Sequence, residues 1–416
     1  MVQVRQAAHL KLIFDMKILF VAEVFYPENF LINDLATELA ARGHQVEVMT
    51  RQPSYPEGVV FPGYQNDAYS KEVWNGITIH RFKTIEGYKT SKVKKIANYF
   101  HYVSAGKQVI QKIVDGVDVI FIYQTGPLTL ALPAVFARKK YAIPTLIWTF
   151  DIWPDAVYMF GFPKVFPLTT FLRYILRKVY RHVDRILVSS QQFGPTITEH
   201  TGVKEVDYVP NWLIAGEQVE SSLRLPKDKI NFTFTGNVSK AQNLENVIRG
   251  FVEAHLPNAV LNIVGNGSTL EAHQKLAKEL KAENVLFHGR LPYNEMADVL
   301  QQSDVLILPL VSKAGIDKTE PLKIQNYLQA GKPIFGVING AGRAIIEEYH
   351  LGQCAHPDRI DEIAQGFAYM ANMTSEQVAQ VAVQAEKLMA DRFNRKKVID
   401  RIEAIIRETA RVKVPV

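Results

Sequence analysis

The chain has 416 residues, 47% of them hydrophobic and 22% charged, with a net charge of +6 and one cysteine. That length exceeds what a single core ordinarily supports, so two domains are expected. The lone Cys354 excludes an internal disulfide, and no run of about 18 apolar residues marks a membrane-spanning helix.

The basic balance favours acidic partners such as phosphates or an anionic lipid surface. No recognition helix, zinc-ligand spacing or aromatic RNA-binding signature accompanies it, so nucleic acid is not an expected partner. Residues 1–15 read as an extension without the continuous apolar stretch of a signal peptide. The first buried strand is then MKILFVAEVF, with Met16 as a real or alternative start.

In FLINDLATELAARG, Leu31, Leu35 and Leu39 recur every four residues and Gly43 supplies a stop, which predicts a crossover helix. A strand, that helix and the strand HQVEVMT make a βαβ unit, hence a parallel sheet. ITIHRFKT, VIFIYQTG, PTLIWTF, RILVSS and DYVPN continue the alternation and complete a first domain over 16–212. Residues 213–228 are polar without a clear period and read as a linker.

The pattern restarts with INFTFTG, AVLNIVGNG, NVLFHGR, DVLILPL, KPIFGVING and GQCAHP, separated by helical stretches such as LENVIRGFVEAH. This predicts a second α/β domain over 229–385, with helices over 386–416 closing the fold. Open parallel sheets bind ligands beyond the carboxyl ends of their strands. The loops after each strand are therefore where chemistry is expected.

In FTGNVSKAQNLENVI, Gly236 lets backbone approach an anion, and Asn237, Ser239 and Lys240 precede a helix start near Asn243. The bland alternative makes Ser239 and Asn243 turn and cap residues and Lys240 a solvated charge. GNG, from Gly265 to Gly267, falls short of a dinucleotide fingerprint.

KTEPLKIQNYLQAGKPI is more pointed. Glu320 is expected near the cap, Pro321 at the first helical position and Lys323 in the first turn. A cation there opposes the positive end of the helix, unless a bound diphosphate reverses the sign of the interaction. Asn326 and Tyr327 are expected on the same face as Lys323. The alternative is a lysine whose ammonium simply reaches solvent.

GNVSKAQNLENVI, VGNG, FHGRLP and PLKIQNYLQAGKPI, together with MKILFVAEVFYPENFLINDLATELAARGHQVEVMT, QPSYPEG, TFDIWPDA and YVPNW, resemble the retaining glycosyltransferases of family 4. The similarity spans roughly residues 16 to 400 and is greatest to the bacterial branch that builds O-antigen, capsular and exopolysaccharides. It implies the GT-B fold: α/β, two Rossmann-like, doubly wound parallel-sheet domains facing across a cleft. It also implies transfer of a sugar from a nucleotide-diphosphate donor to a glycan or polyprenyl-diphosphate-linked acceptor, with no cofactor and no metal.

On that resemblance Lys323, then Lys240, stabilise the departing diphosphate, assisted by the backbone at Gly236 to Ser239 and at Glu320, Pro321 and Leu322. Gln242 and Gly265 belong to the same donor loops. Glu320 and Asn326 are implied for sugar and ribose hydroxyls, and Gly289, Arg290 and Leu291 for the base. Glu28 and Asn29 stand where relatives have glycines near the donor phosphates. Asp151, after PTLIWTF, stands at a strand's carboxyl end near where many relatives have a histidine. It is expected either to orient or partly deprotonate the acceptor hydroxyl or to cap the following turn.

The sequence departs from the family at other places as well. Two customary glutamates are replaced by Lys318 and Asn326, and a customary arginine and lysine by Asn237 and Gln242. These departures open a second reading, a catalytically degenerate GT-B protein acting as a binding or partner subunit. Two segments, SKVKKIANYFHYVSAGKQVIQK and FPKVFPLTTFLRYILRKVYRH, mix basic with aromatic and aliphatic residues at helical spacing. They predict peripheral attachment to an anionic membrane at the cytoplasmic face, or helices whose aromatic side chains pack on the sheet.

Overall fold

The structure is a computed structural model and describes residues 16–159, 163–214 and 216–412. The expected extension over 1–15 lies outside the described residues. The described residues form two compact units, one of residues 16–210 with 396–412 and the other of residues 211–395.

The first unit carries eight strands: β1 (Lys17–Ala22), β2 (Gln45–Arg51), β3 (Ser70–Trp74), β4 (Ile77–Phe82), β5 (Val119–Gln124), β6 (Thr145–Thr149), β7 (Arg185–Val188) and β8 (Asp207–Tyr208). They lie in the order β3-β4-β2-β1-β5-β6-β7-β8. Every pairing is parallel except β3 with β4. β1 and β5 are almost wholly buried, reading as continuous apolar runs because helices cover both faces.

Its helices are α1 (Leu31–Ala41), α2 (Lys92–Ile113), α3 (Leu132–Tyr141), α4 (Asp155–Met159), α5 (Leu168–Tyr180) and α6 (Phe193–Thr201). Helix α1 buries Ile32, Leu35, Ala36 and Leu39, and the chain leaves it through Gly43 at φ 95°. The seven predicted strands are all present. The edge strand β3 was not predicted, although Asn75-Gly76, both at positive φ, turns it into β4 as a hairpin.

The second unit carries β9 (Ile230–Thr235), β10 (Ala259–Val264), β11 (Val285–Gly289), β12 (Val305–Pro309), β13 (Ile334–Val337) and β14 (Gly352–Ala355), all parallel, in the order β11-β10-β9-β12-β13-β14. Renumbered from its own first strand this is 3-2-1-4-5-6, the doubly wound order of dinucleotide-binding sheets. Its helices are α7 (Leu244–Glu253), α8 (Leu270–Glu279), α9 (Met296–Gln302), α10 (Ala314–Asp317), α11 (Lys323–Ala330), α12 (Gly340–Glu348), α13 (Ile360–Ala371) and α14 (Ser375–Asp391).

The segment read as a linker has no regular structure, yet it is strapped to this unit. Ser221 N donates to Asp298 at 3.0 Å, Leu225 N to Gln302 at 3.0 Å, and the Pro226 carbonyl accepts from Asn231 at 2.8 Å. The final helix, α15 (Arg395–Ala410), packs with the first unit. There Arg42 binds Asp400 at 2.8 Å and Glu403 at 2.7 Å, and Arg407 binds Glu403 at 2.6 Å.

Candidate functional site

In the second unit the strand order reverses between β9 and β12, and ligands of such sheets sit at the carboxyl ends beside that reversal. Three loops are knitted together there by backbone bonds. Gly236 N donates to Val264 O at 2.9 Å, Val238 N to Asn266 O at 2.9 Å, and Gly265 N to Gly289 O at 2.7 Å. Such contact is possible only without side chains. A Cβ on Gly265 would stand 1.8 Å from the Gly236 carbonyl oxygen, and one on Gly267 2.2 Å from that of Val238. The GNG motif therefore serves close backbone approach.

Beside this knot α11 begins. Buried Tyr327 anchors it, its hydroxyl donating to Ile307 O of β12 at 3.0 Å. Lys323 is the first helical residue, and Leu322 stands at the cap position with no side-chain cap bond. The expected start at Pro321 is thus corrected by two residues: the Pro321 carbonyl accepts from Ile324 N at 3.0 Å, in a tight turn ahead of the helix. Glu320 is not the cap, because its buried carboxylate pairs with Arg392 at 2.9 Å.

The Lys323 ammonium donates to Gln242 Oε1 at 2.8 Å and lies 4.1 Å from the ring centroid of buried Phe234. No carboxylate stands within ion-pair distance of it among the described residues. Burial pushes its pKa down from the ordinary lysine value to about 7. This is a desolvated cation at the positive end of a helix, held by one neutral amide and a ring face. Gln242 is what positions it.

The other predicted donor residues divide. Gly236, Gln242, Gly265 and Lys323 converge; Asn237 and Lys240 are exposed on the same loop, and Ser239 precedes the single turn Lys240–Gln242. Gly289 joins through its carbonyl, followed by exposed Arg290 and half-buried Leu291. Asn326 opens instead onto a separate cavity of ≈ 290 Å³, with Ile214, Tyr293, Met296 and Gln329. Tyr327, expected beside Lys323, sends its hydroxyl into the sheet.

In the first unit the order reverses between β1 and β5, and a cavity of ≈ 530 Å³ lies at their carboxyl ends. Asp151, two residues beyond β6, lines it together with Glu23, Arg51, Tyr99, Gly126 and Trp153. Gln124 braces the loops by donating to Gly126 O at 2.6 Å and Asp151 O at 3.1 Å. The Glu23 carboxylate lies against Gly126: a Cβ there would stand 2.3 Å from Glu23 Oε2 and push that side chain aside.

Desolvation, then the nearby Glu23 charge, raises the Asp151 pKa to about 7. Glu23 itself pairs with Arg51 at 3.4 Å. Sequence reasoning missed Glu23, Arg51, Tyr99 and Trp153. Glu23 was findable as the first residue after a central strand.

Glu28 is placed elsewhere. Its carboxylate accepts from the backbone N–H of Ser54 at 2.9 Å, Tyr55 at 2.7 Å and Phe25 at 3.2 Å, and the residue is only 3% exposed. It holds the loop after β2 and presents nothing to a ligand, whereas Asn29 is exposed. Among the described residues no cluster of three or more His, Cys, Asp or Glu could hold a metal ion.

The family described as Glycosyl transferases group 1 matches residues 217–388, and the Glycosyl transferase 4-like domain matches residues 31–212. A relative named for colanic acid biosynthesis, the glycosyl transferase WcaI of Escherichia coli (strain K12), is 25% identical over 394 residues, covering 84% of this chain and 91% of its own. Among solved structures, sucrose-phosphate synthase from Thermosynechococcus elongatus superposes with a TM-score of 0.70 at 14% identity, over 94% of this chain and 98% of that one. Anabaena HepE in complex with UDP gives 0.68 at 14% identity, over 94% and 100%. WaaG, a glycosyltransferase involved in lipopolysaccharide biosynthesis, gives 0.62 at 15% identity, over 94% and 99%. With one family domain on each unit and the fold shared along nearly the whole chain, this protein belongs to the family 4 glycosyltransferases of GT-B fold.

Proposed function

We propose that the protein transfers a sugar, with retention of anomeric configuration, from a nucleotide-diphosphate donor to a hydroxyl of a glycan or polyprenyl-diphosphate-linked acceptor in bacterial surface polysaccharide synthesis. The observation that carries the proposal is Lys323, a half-buried ammonium without a carboxylate partner among the described residues, at a helix start beside a glycine-lined loop knot. The UDP bound by HepE and the pathway in WcaI's name support the donor class and the setting.

In this reading the bond from the sugar's anomeric carbon to the diphosphate breaks as the acceptor oxygen bonds to that carbon. Lys323 and the N–H groups at the start of α11 take up the charge growing on the diphosphate, in pre-formed geometry. Lys240 reaches the same phosphates from an exposed position. Asp151, when ionised, accepts the proton from the acceptor hydroxyl. Lysine and backbone suffice to neutralise the diphosphate, so chelator leaves turnover unchanged. Incubation with a panel of labelled sugar nucleotides tests the reading: transfer or donor hydrolysis that vanishes in Lys323→Ala is expected, and a protein inert to every donor would favour the degenerate alternative.

Attachment to an anionic lipid surface belongs to the same proposal. Val93 and Phe100 on α2, Val165 and Phe166 before α5, and Tyr174 on α5 are exposed, with Lys94, Lys164 and Lys178 nearby in sequence. Apolar side chains among lysines suit the headgroup region. Among the described residues no helix is long and apolar enough to cross a membrane. Flotation with phosphatidylglycerol vesicles, lost in Phe100→Ser with Phe166→Ser, tests the attachment.

A further inference from the structure

A second cavity of the first unit, of ≈ 450 Å³, shares Leu132 with the Asp151 cavity but none of its polar residues. Its apolar lining is Leu132, Val135 and Phe136 of α3. Four lysines complete it: Lys107 of α2, Lys139 and Lys140 of α3, and Lys178 of α5. Lys139 and Lys140 come at the end of α3, just before β6 begins, whereas Asp151 follows where β6 ends. The two therefore stand toward the amino-terminal end of the sheet, opposite the end at which such folds bind their ligands.

No acid answers these lysines. Lys107 and Lys140 hold their ammonium groups 5.7 and 5.6 Å from one ring centroid, that of Phe136. Lys140 also donates to Gln111 Oε1 at 2.8 Å, and Lys178 to the Tyr174 hydroxyl at 3.3 Å, both neutral partners. No carboxylate stands within ion-pair distance of any of the four among the described residues. Asp184 is engaged elsewhere, by Arg138 at 2.6 Å. The helices α2, α3 and α5 contain no Asp or Glu, in a chain that has 42 of them against 48 Lys and Arg. The excess charge is felt at His182, whose pKa is pushed down by burial and then by Lys139, Arg138 and Lys178, although its ring bonds the Lys178 carbonyl at 2.9 Å. Lysines in the last turns of α3 and α5 suit the negative ends of those helices. Lys107 lies well before the end of α2 at Ile113, so that reason does not bring it to the same cavity.

We propose that this face of α2, α3 and α5 is a docking surface for an acidic, amphipathic segment of another protein, whose apolar side chains enter the cavity over Phe136 while its carboxylates pair with the surrounding lysines. Complementary charge brings such a segment in and sets its register, and the apolar anchors hold it. A lipid headgroup fits less well. The side chains assigned above to lipid contact protrude, with Phe100 and Phe166 at 64% and 82% exposure, whereas Val135 is 2% exposed and Leu132 and Phe136 are half-buried. A phosphate would meet the ammonium groups and leave that recessed apolar lining unfilled. The surface is independent of the transferase reading, and none of its lysines has a part in the proposed chemistry.

The probe is a fluorescein-labelled synthetic helix with leucine and tryptophan along one face and glutamates flanking them, titrated into the full chain and followed by anisotropy. Saturable binding is expected. It should weaken at least tenfold when the glutamates of the peptide become glutamines, and at least tenfold when its leucines and tryptophans become serines. Lys107→Gln with Lys139→Gln in the protein should weaken it by a similar factor. Melting curves identify a variant that fails to fold, and Lys139→Gln alone, at an exposed position, then carries the test with a threefold loss expected. Absence of binding, equal binding of either altered peptide, or insensitivity to the lysine substitutions would overturn the proposal. Flotation with phosphatidylglycerol vesicles that is lost in Lys107→Gln with Lys139→Gln but kept in Phe100→Ser with Phe166→Ser would overturn it in favour of lipid headgroups. A dimer in sedimentation velocity that the same lysine pair dissociates would overturn it in favour of a second copy of this chain.

Discussion

Gly236 and Lys323 share one space: a Cβ added to the glycine would stand 2.8 Å from both Cε and Nζ of the lysine. Eighty-seven residues apart in sequence, the two are brought together because β9 and β12 adjoin where the sheet order reverses. Gly236→Ala should therefore displace the ammonium from Gln242, while φ of 133° adds backbone strain. The expected result is a tenfold or greater loss of UDP affinity with a modest fall in melting temperature, measured by calorimetry and by thermal melting.

Gly265→Ala should be worse for the fold. Its Cβ would meet backbone, the Gly236 carbonyl oxygen at 1.8 Å, and no side chain can swing aside. A destabilisation of about 3 kcal/mol is expected from the strain and the lost loop contacts, seen as a shifted urea midpoint. A midpoint unchanged from the parent protein would mean that the three loops are not packed as described.

Asp151 should leave its mark on the pH profile. Its pKa is raised to about 7, so a base at this position is half ionised near neutrality and turnover should climb through pH 7 to a plateau. Asp151→Asn should abolish that limb and reduce transfer at least a hundredfold while sparing UDP affinity. The stability consequence has the opposite slope. A carboxyl whose folded pKa lies above its unfolded value costs nothing below the unfolded value and most above the folded one. Asp151→Asn should thus be more stable than the parent at pH 8 and equal to it near pH 3.

The ion pair of Glu320 with Arg392 fixes the segment leading into α11. Arg392→Ala strips a largely buried carboxylate of its guanidinium, a change of the kind that costs about 3–5 kcal/mol. Arg392→Ala should lower the melting temperature more than Glu320→Gln does. If the two variants melt alike, the pair is not what orders this segment.

Much of this architecture could be read in the sequence because parallel strands buried on both faces print themselves as short apolar runs. β1, β5, β9 and β12 did so. Strand β3 did not, because Lys71 and Val73 face solvent and only the Asn75-Gly76 turn betrayed the hairpin. Lys323 was legible through a local contradiction, a cation at the wrong end of a helix. Gln242 and Phe234, which hold it, were not legible as its partners, since tertiary contact between two loops leaves no periodic trace. Glu28 shows the converse: its place on a loop matched to the family's donor-phosphate loop implied a ligand role, and only the backbone donors around it reveal a structural one.

The measurement that tests the central claim most directly is calorimetric titration of UDP into the protein and into Lys323→Met at pH 8, in two buffers of different ionisation enthalpy. At that pH the desolvated amine, with its pKa lowered to about 7, is mostly neutral, and a diphosphate beside it draws a proton onto it. The account predicts net proton uptake by the parent protein, none by the variant, and an affinity at least tenfold weaker in the variant. Equal affinities with no proton taken up by either would contradict it.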